Sequence, residues 1–387
     1  MVERYSDVIN TYTSSDLVSS SVGFNIDCKE DEVSEKVSYY VYEDKKNIND
    51  SPYIMFRRCF DGTTKETAFD SVGLNTGNQV FGDSIKKVIN PKVVSYLYYK
   101  NNRESIGKID KVITTDLIWI NEESNFDYLY KQMEQLGEIA YVPMSIGLQA
   151  QYYNKEFKLN ESVMRVLERM QERAVLGVRG EYTASILEKH NIKNIEVIGC
   201  PSLYYWNDEN FKFMKKENFV PNKVLSNFRS IYGQLSRAEK DFLAYCADRN
   251  YTFIEQTKYI LQNENVNDTA YFEHISKWLK EKSRIYFDTQ SWGQNIKGYD
   301  FSMGARFHGN IIALWNDIPA LFMLVDSRTE ELVKFFHLPH IRMEEFDREK
   351  PIEYYYEMAD YTEFNKFYRE RCQTFRNFLR KNEIVID

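Results

Sequence analysis

The sequence predicts an α/β fold of two tandem Rossmann-like parallel-sheet domains that face a central cleft and are closed by a C-terminal helix. Three observations lead there. From Tyr53 onward, short apolar runs alternate with amphipathic segments, the pattern of strand–helix–strand units whose helices cover both faces of a parallel sheet. The alternation pauses over residues 201–222, a polar and aromatic stretch bracketed by prolines, and then restarts. The length, 387 residues, suits about two domains at roughly 100–200 residues each.

In chain order, residues 1–50 are polar, carry the acidic patch DCKEDEVSEK, and read as an irregular arm on an N-terminal domain spanning 1–200. Within that domain YIMFRRCF, DKVITT, GEIAYVPMSIG, AVLGVRG and IEVIGCP read as strands. FGDSIKKVI, NFDYLYKQMEQLG and EYTASILEKHN read as helices between them. After the linker, a C-terminal domain spans 223–345. KVLSNFRS, YTFIEQT, RIYFDT and YDFSMGARF are its strands, and SRAEKDFLAYCADRN begins a helix with Ser236 in capping position. GNIIALWN reads as a short buried helix. Residues 346–387 form a helical extension ending in one long amphipathic helix, TEFNKFYRERCQTFRNFLRKNEI.

Composition narrows the classes. A net charge of −8 argues against a broad nucleic-acid surface, so no nucleic-acid partner is expected. The 29 Tyr and 25 Phe fit an aromatic-rich core better than a sugar-lined cleft. Cys28, Cys59, Cys200, Cys246 and Cys372 are scattered and lack a CxxC pair, which suits a reducing compartment rather than a disulfide framework or zinc site. His190, His274, His337 and His340 have no carboxylates at ligand spacing, so no metal is expected. The first residues, MVERYSDVINTYTSSD, do not read as a secretory leader, and no run approaches ~18 apolar residues. The expected location is the cytoplasm, with peripheral contact to the inner face of the membrane left open. The oligomeric state is not legible.

Candidate chemistry sits at strand ends, where open α/β sheets bind ligands. In GARFHGNIIALWN, Arg306 and His308 flank Phe307 at a strand-to-helix turn. Gly309 allows a tight turn, and the amides of Gly309, Asn310 and Ile311 are expected to form an anion-binding helix N-terminus. Arg306 supplies a fixed fork of donors and His308 a proton carrier near neutral pH. The plain alternative is a local ion pair and a capping histidine. In VRGEYTASILEKH, Arg179 ends a strand and is expected to face the cleft from the other domain, the alternative being a pair with Glu181. Asn75, Gly77 and Asn78 lie in the turn-rich VGLNTGNQVFGDS, which resembles a small phosphate- or sugar-binding loop and also reads as an ordinary turn. Asp326 ends a buried strand before SRTEEL, where Ser327 or Thr329 is expected to cap the next helix, and Asp326 is a candidate for a polar contact to the substrate beside the Arg306/His308 turn.

These segments carry a resemblance. GARFHGNIIALWNDIPALFML resembles the signature of the polysaccharide pyruvyl transferase family, in which an R-[aromatic or Leu]-H stretch precedes a buried helix and an IP strand. VRGEYTASILEKHNIKNIEVIGCPSL resembles the family's middle segment and LNTGNQVF its N-terminal loop, in family order over roughly residues 70–340.

The resemblance implies a GT-B-like fold and transfer of a pyruvyl group from phosphoenolpyruvate to two hydroxyls of a sugar. The product would be a cyclic ketal, with a place in capsule, exopolysaccharide or cell-wall polymer synthesis. Matched by position, Arg306 and His308 are the implied catalytic residues and Arg179 holds donor, with Phe307 placing its backbone nearby. No cofactor is implied beyond phosphoenolpyruvate as substrate, and the acceptor would be lipid-linked or polymeric. TTDLIWINEES and SIGLQAQ depart from common members on the acceptor side. Asp116, Glu122 and Asp326 are candidates for a base. Two other readings remain open: a GT-B glycosyltransferase using a nucleotide sugar, and a non-catalytic protein of an envelope-assembly complex.

Overall fold

The structure, a computed structural model, describes residues 18–20, 23–25, 48–57, 72–150, 153–228, 235–257 and 269–386. Most of the predicted arm, together with Cys28 and Cys59, lies outside them. Two strands of the arm are described, β1 (Val18–Ser20) and β2 (Gly23–Asn25). They pair antiparallel, and β2 pairs antiparallel with Ser283–Ile285. The arm was expected on the N-terminal domain. Its described strands instead extend the sheet of the C-terminal half.

The N-terminal half is built on β3 (Tyr53–Phe56), β4 (Lys92–Val94), β5 (Lys111–Thr114) and β6 (Ala140–Pro143), all parallel in the order β4-β3-β5-β6. β7 (Leu176–Val178) and β8 (Ile195–Val197) pair in parallel, and a bridge between Ile146 and Val178 joins them to the segment after β6. β3, β6 and β7 are apolar throughout because helices Asn78–Ile89, Asp127–Leu136, Glu161–Gln171 and Glu181–Lys189 cover the sheet. β4 escapes sequence reading: three residues between two helical segments read as a continuation of either.

The C-terminal half contributes β9 (Val224–Asn227), β10 (Thr252–Ile254), β11 (Ser283–Ile285), β12 (Phe301–Gly304), β13 (Ala320–Leu324) and β14 (His340–Arg342). Their order is β11-β10-β9-β12-β13-β14, all parallel. The chain builds outward from β9 to β11, then returns to lay β12 on the other side of β9. The switch point, where helices leave to opposite sides and open a crevice, therefore lies between β9 and β12. Ser236 is the N-cap, as expected, and it forms a capping box with Glu239 that was not anticipated. The Phe307–Trp315 helix is buried on nearly every side, as its apolar run requires.

The long C-terminal helix, Thr362–Lys381, ties the halves together. Before its start, the Tyr361 hydroxyl donates to the Ala320 carbonyl (2.8 Å) and accepts from the Ala320 amide (2.7 Å) on β13. In its middle, Tyr368 donates to the Leu203 carbonyl in the segment between the halves (2.7 Å). At its end, the Asn382 side chain bonds both backbone groups of Val175, next to β7. Phe364, Tyr368, Cys372, Phe375, Phe378 and Leu379 form its buried face. Among the described residues no helix is long and apolar enough to cross a membrane.

Candidate active site

The switch point is fixed by a buried amide network. Asn227, at the end of β9, accepts the Arg306 amide through Oδ1 and donates to Asn310 Oδ1, each at 2.8 Å. Asn310 also accepts from Ser302 and donates to the Gly304 carbonyl, each at 2.9 Å. Gly304 is obligatory: a Cβ there would lie 1.9 Å from the Asn227 carbonyl oxygen. Both amide side chains are fully buried and bonded, which makes the turn rigid. Asn310 and Gly309 were expected to contact a ligand; the Asn310 side chain is instead spent on Asn227, Ser302 and Gly304. Gly309 faces Asn227, and the Phe307 ring packs toward Phe322.

The helix also begins earlier than expected. Arg306 is its N-cap, and the first amide to bond back is Asn310 to the Arg306 carbonyl (3.2 Å). The orphan amides are those of Phe307, His308 and Gly309, rather than of residues 309–311. Strand β12 stops at Gly304, so helical geometry starts directly after Arg306.

Arg306 is half-buried and braced. Its Nε donates to the Phe228 carbonyl (2.8 Å) and Nη2 to Thr257 Oγ1 (3.0 Å). Thr257 donates in turn to Glu255 Oε1 (3.0 Å), which also accepts the amides of Gln256 and Thr257. Burial raises the Glu255 carboxyl above its usual range, and Arg306 and these donors partly offset that.

Arg179 ends β7 and is buried, its Nε donating to Ser145 Oγ (3.4 Å). Burial lowers its guanidinium to about 10, so it stays charged at neutral pH. Ser145 has φ +66°, a left-handed conformation uncommon outside glycine and often found at functional sites. Glu331 reaches across from the C-terminal half and accepts the amide and hydroxyl of Thr183 (2.7 and 2.9 Å), so the start of the Glu181–Lys189 helix is pinned to the opposite half. Asp326, not Ser327 or Thr329, caps the Ser327–Phe336 helix, accepting the Thr329 amide (2.8 Å). It also pairs with Arg328 (3.1 Å). Burial opposes its ionisation, but Arg328 and Thr329 outweigh that and hold it below the ordinary carboxylate range.

His308 lies among these groups. Burial, then Arg179, Arg328 and Arg306, push its imidazole down to about 3. Its Nε2 is 3.5 Å from Cys200 Sγ, and its ring packs against Phe81 and Phe307. Burial keeps the Cys200 thiol above its usual range, although Arg179 pulls it down. The histidine is therefore neutral at pH 7, which the sequence did not suggest.

The N-terminal loop closes on the same place. Asn75 Oδ1 accepts the Gly77 amide (3.0 Å), and Asn78 Nδ2 donates to the Val72 carbonyl (2.9 Å), so these two side chains shape the loop. Gly77 precedes the Asn78–Ile89 helix with no side-chain cap. A Cβ on Gly77 would lie 3.1 Å from His308 Cβ and 2.9 Å from Gln256 Nε2, so a side chain here would crowd both. The helix is braced on the C-terminal half by Gln79 to the Phe287 carbonyl and Thr289 to Asp83.

Of the predicted residues, Arg179, Arg306, His308 and Gly77 converge directly, and Asp326 joins them through Arg328. The Phe307 ring and the Asn310 side chain pack beneath them, while the Phe307 and Gly309 amides stay unbonded at the helix start. Of the other candidate bases, Asp116 bonds Thr114 (2.9 Å) and Glu122 is exposed and accepts the Lys158 amide (3.0 Å). Missed were Arg328, Cys200, Ser145, Asn227 and the Glu255–Thr257 pair. Several of these are polar residues at the carboxyl ends of apolar strands, a signal present in LSNF and FIEQT.

The fold and site define a two-half α/β protein with a cationic centre at its strand ends. The profile of the family described as polysaccharide pyruvyl transferase matches residues 75–327, and the chain belongs to that family. Among solved structures, it is similar to a putative UDP-N-acetylglucosamine 2-epimerase from Listeria monocytogenes (10% identity, 84% of this chain and 95% of that one, TM-score 0.41). It is also similar to S. aureus MnaA solved with UDP (12%, 84% and 97%, TM-score 0.39). A third is the wall teichoic acid polymerase TagF (12%, 89% and 90%, TM-score 0.37). These are likenesses of chain path, at identities too low to speak of activity. No curated protein matches the sequence.

Proposed function

We propose that the protein transfers the pyruvyl group of phosphoenolpyruvate to two hydroxyls of a sugar, forming a cyclic ketal and releasing phosphate. The observation that carries this reading is the convergence of three guanidiniums, Arg179, Arg306 and Arg328, on His308 at a helix N-terminus. Phosphoenolpyruvate brings a phosphate and a carboxylate, and fork-shaped cations with backbone amides suit both.

The same charges account for the proton. Without anions nearby, His308 is neutral. The donor's phosphate and carboxylate offset the guanidiniums and bring the imidazole back toward its ordinary range, so it can carry a proton to the enol carbon C3. Protonation of C3 leaves C2 electron-poor. One sugar hydroxyl bonds to C2, the C2–O bond to phosphate breaks, and the second hydroxyl closes the ring. Of the two hydroxyl protons, one is accounted for in the new methyl group and the other leaves with phosphate. Arg179, Arg306 and Arg328 stabilise the departing dianion. A sugar of a surface polymer, lipid-linked or polymeric, handled at the inner face of the membrane in capsule, exopolysaccharide or cell-wall synthesis, follows from family membership as part of this proposal.

The test is thermal protection of wild type and Arg306→Ala by phosphoenolpyruvate, phosphate, UDP and GDP. Phosphoenolpyruvate should raise the melting temperature of wild type, and Arg306→Ala should lose that protection. Protection by a nucleotide with none by phosphoenolpyruvate would overturn the donor.

A further inference from the structure

Four buried side-chain polar atoms among the described residues have no hydrogen-bond partner, and two of them belong to residues that meet at one contact between the halves. They are Thr76 Oγ1 and Gln256 Oε1. Thr76 is 0% exposed and Gln256 2%. The Thr76 amide donates to the Gln256 carbonyl (2.8 Å), so the two residues are adjacent across the interface. Between them and His308 lies Gly77, within 3.1 Å of the histidine Cβ and 2.9 Å of the glutamine Nε2 if it carried a Cβ. Orphaned polar atoms are unfavourable in a closed interface, and a pair of them beside a reactive histidine is hard to explain by packing.

We infer that Thr76 and Gln256 form the subsite that takes the hydroxyl pair of the acceptor sugar. The inference rests on the pyruvyl-transfer reading for what the sugar is there to do. The chemistry of the orphans selects the ligand. Gln256 Oε1 can only accept, so it needs a donor. Phosphoenolpyruvate in its ionised form has no donor to give, and neither does free phosphate as a dianion offer a second hydroxyl for Thr76. A sugar diol supplies both, since each hydroxyl donates one hydrogen bond and accepts another. Ketal formation requires two hydroxyls presented to one carbon, and this contact lies on the His308 side of the cleft. The Asn75–Asn78 loop and the end of β10 must part for the sugar to enter, because neither atom reaches solvent in the closed contact.

The experiment compares wild type with the Thr76→Val/Gln256→Met double variant. The probes are the methyl glycosides of galactose, glucose and mannose, with and without saturating phosphoenolpyruvate, read by thermal shift. In wild type at least one glycoside should protect. In the double variant the concentration for half-protection by that glycoside should rise by about tenfold or more, because a site built to bond hydroxyls loses its partners. Protection by phosphoenolpyruvate should be unchanged, and the ligand-free variant should melt at or above wild type, because apolar replacements remove two orphans. A lower ligand-free melting temperature would mean the atoms hold structural water and would overturn the subsite. So would unchanged glycoside protection, loss of phosphoenolpyruvate protection together with it, or a wild type that no glycoside protects. If phosphoenolpyruvate fails on wild type while the glycoside result stands, the donor reading falls and the sugar subsite survives.

Discussion

Two helix N-termini meet at His308, and they are built in opposite ways. The Phe307–Trp315 helix starts at an arginine whose amide, Nε and Nη2 are all bonded, on a network in which Asn227, Asn310 and Ser302 satisfy one another. The Asn78–Ile89 helix starts at a glycine, with no side-chain cap and with two unbonded polar atoms at the contact beside it. The first of these termini presents fixed positive charge on a rigid floor. The second presents neutral hydrogen-bonding groups on a loop whose Thr76 amide bonds the Gln256 carbonyl, next to a helix braced by Gln79 and Asp83. On the proposed reading the difference is a division of labour: an anion is best held where reorganisation is least, and a polyol where the surface can open and close around it.

The sharpest way to break this comparison is at the histidine both halves share. His308→Gln keeps the shape and removes the proton carrier. Turnover should fall by about 10²–10⁴-fold, while protection by phosphoenolpyruvate and the ligand-free melting temperature stay near wild type. Steady-state phosphate release together with thermal shift reads both. Near-normal turnover would remove His308 from the chemistry and leave the arginines as a binding site alone.

A smaller effect separates rigid from adaptable. Asn227→Ala strips the partner from the Arg306 amide and from Asn310, both buried. Stability should fall by about 1–3 kcal/mol, measured by chemical denaturation. Thr76→Val, on the other half, should cost nothing, because its hydroxyl has no partner to lose. Equal losses at the two positions would mean that the halves do not differ in the way described.

What the sequence disclosed follows the same line. Arg306 and His308 were legible because they sit side by side at the edge of the most apolar run, and Arg179 because a strand, a turn and a helix succeed one another around it. Local order was enough. Asn227, Thr257 and Arg328 were not legible, because each acts on the site from another strand end, and only the sheet order β10-β9-β12-β13 makes those ends neighbours. The neutral state of His308 was hidden for the same reason: two of its three arginines come from other segments, and burial, the first cause of the shift, is a tertiary property. The early start of the Phe307 helix was concealed by Phe307 itself, whose ring suits either a strand or a helix.

The smallest expected effect is on pH dependence, and its sign is fixed by that neutrality. An unfolded histidine titrates near 6.5, and the folded His308 at about 3. The unfolded chain therefore takes up a proton that the folded one refuses. The stability that His308 contributes is fully present above about pH 6.5 and is lost as pH falls toward 3. Melting temperature recorded from pH 7 to pH 4 should decline more steeply in wild type than in His308→Gln. Donor binding should run the other way. If the anions of phosphoenolpyruvate raise the imidazole, the complex binds a proton that the free protein does not, and affinity should increase as pH falls from 8 to 6. The ligand's own phosphate titrates in the same range, so the comparison with His308→Gln isolates the histidine. Identical pH slopes for the two proteins would show that the donor leaves His308 neutral, and the proton for C3 would have to come from elsewhere in the cleft.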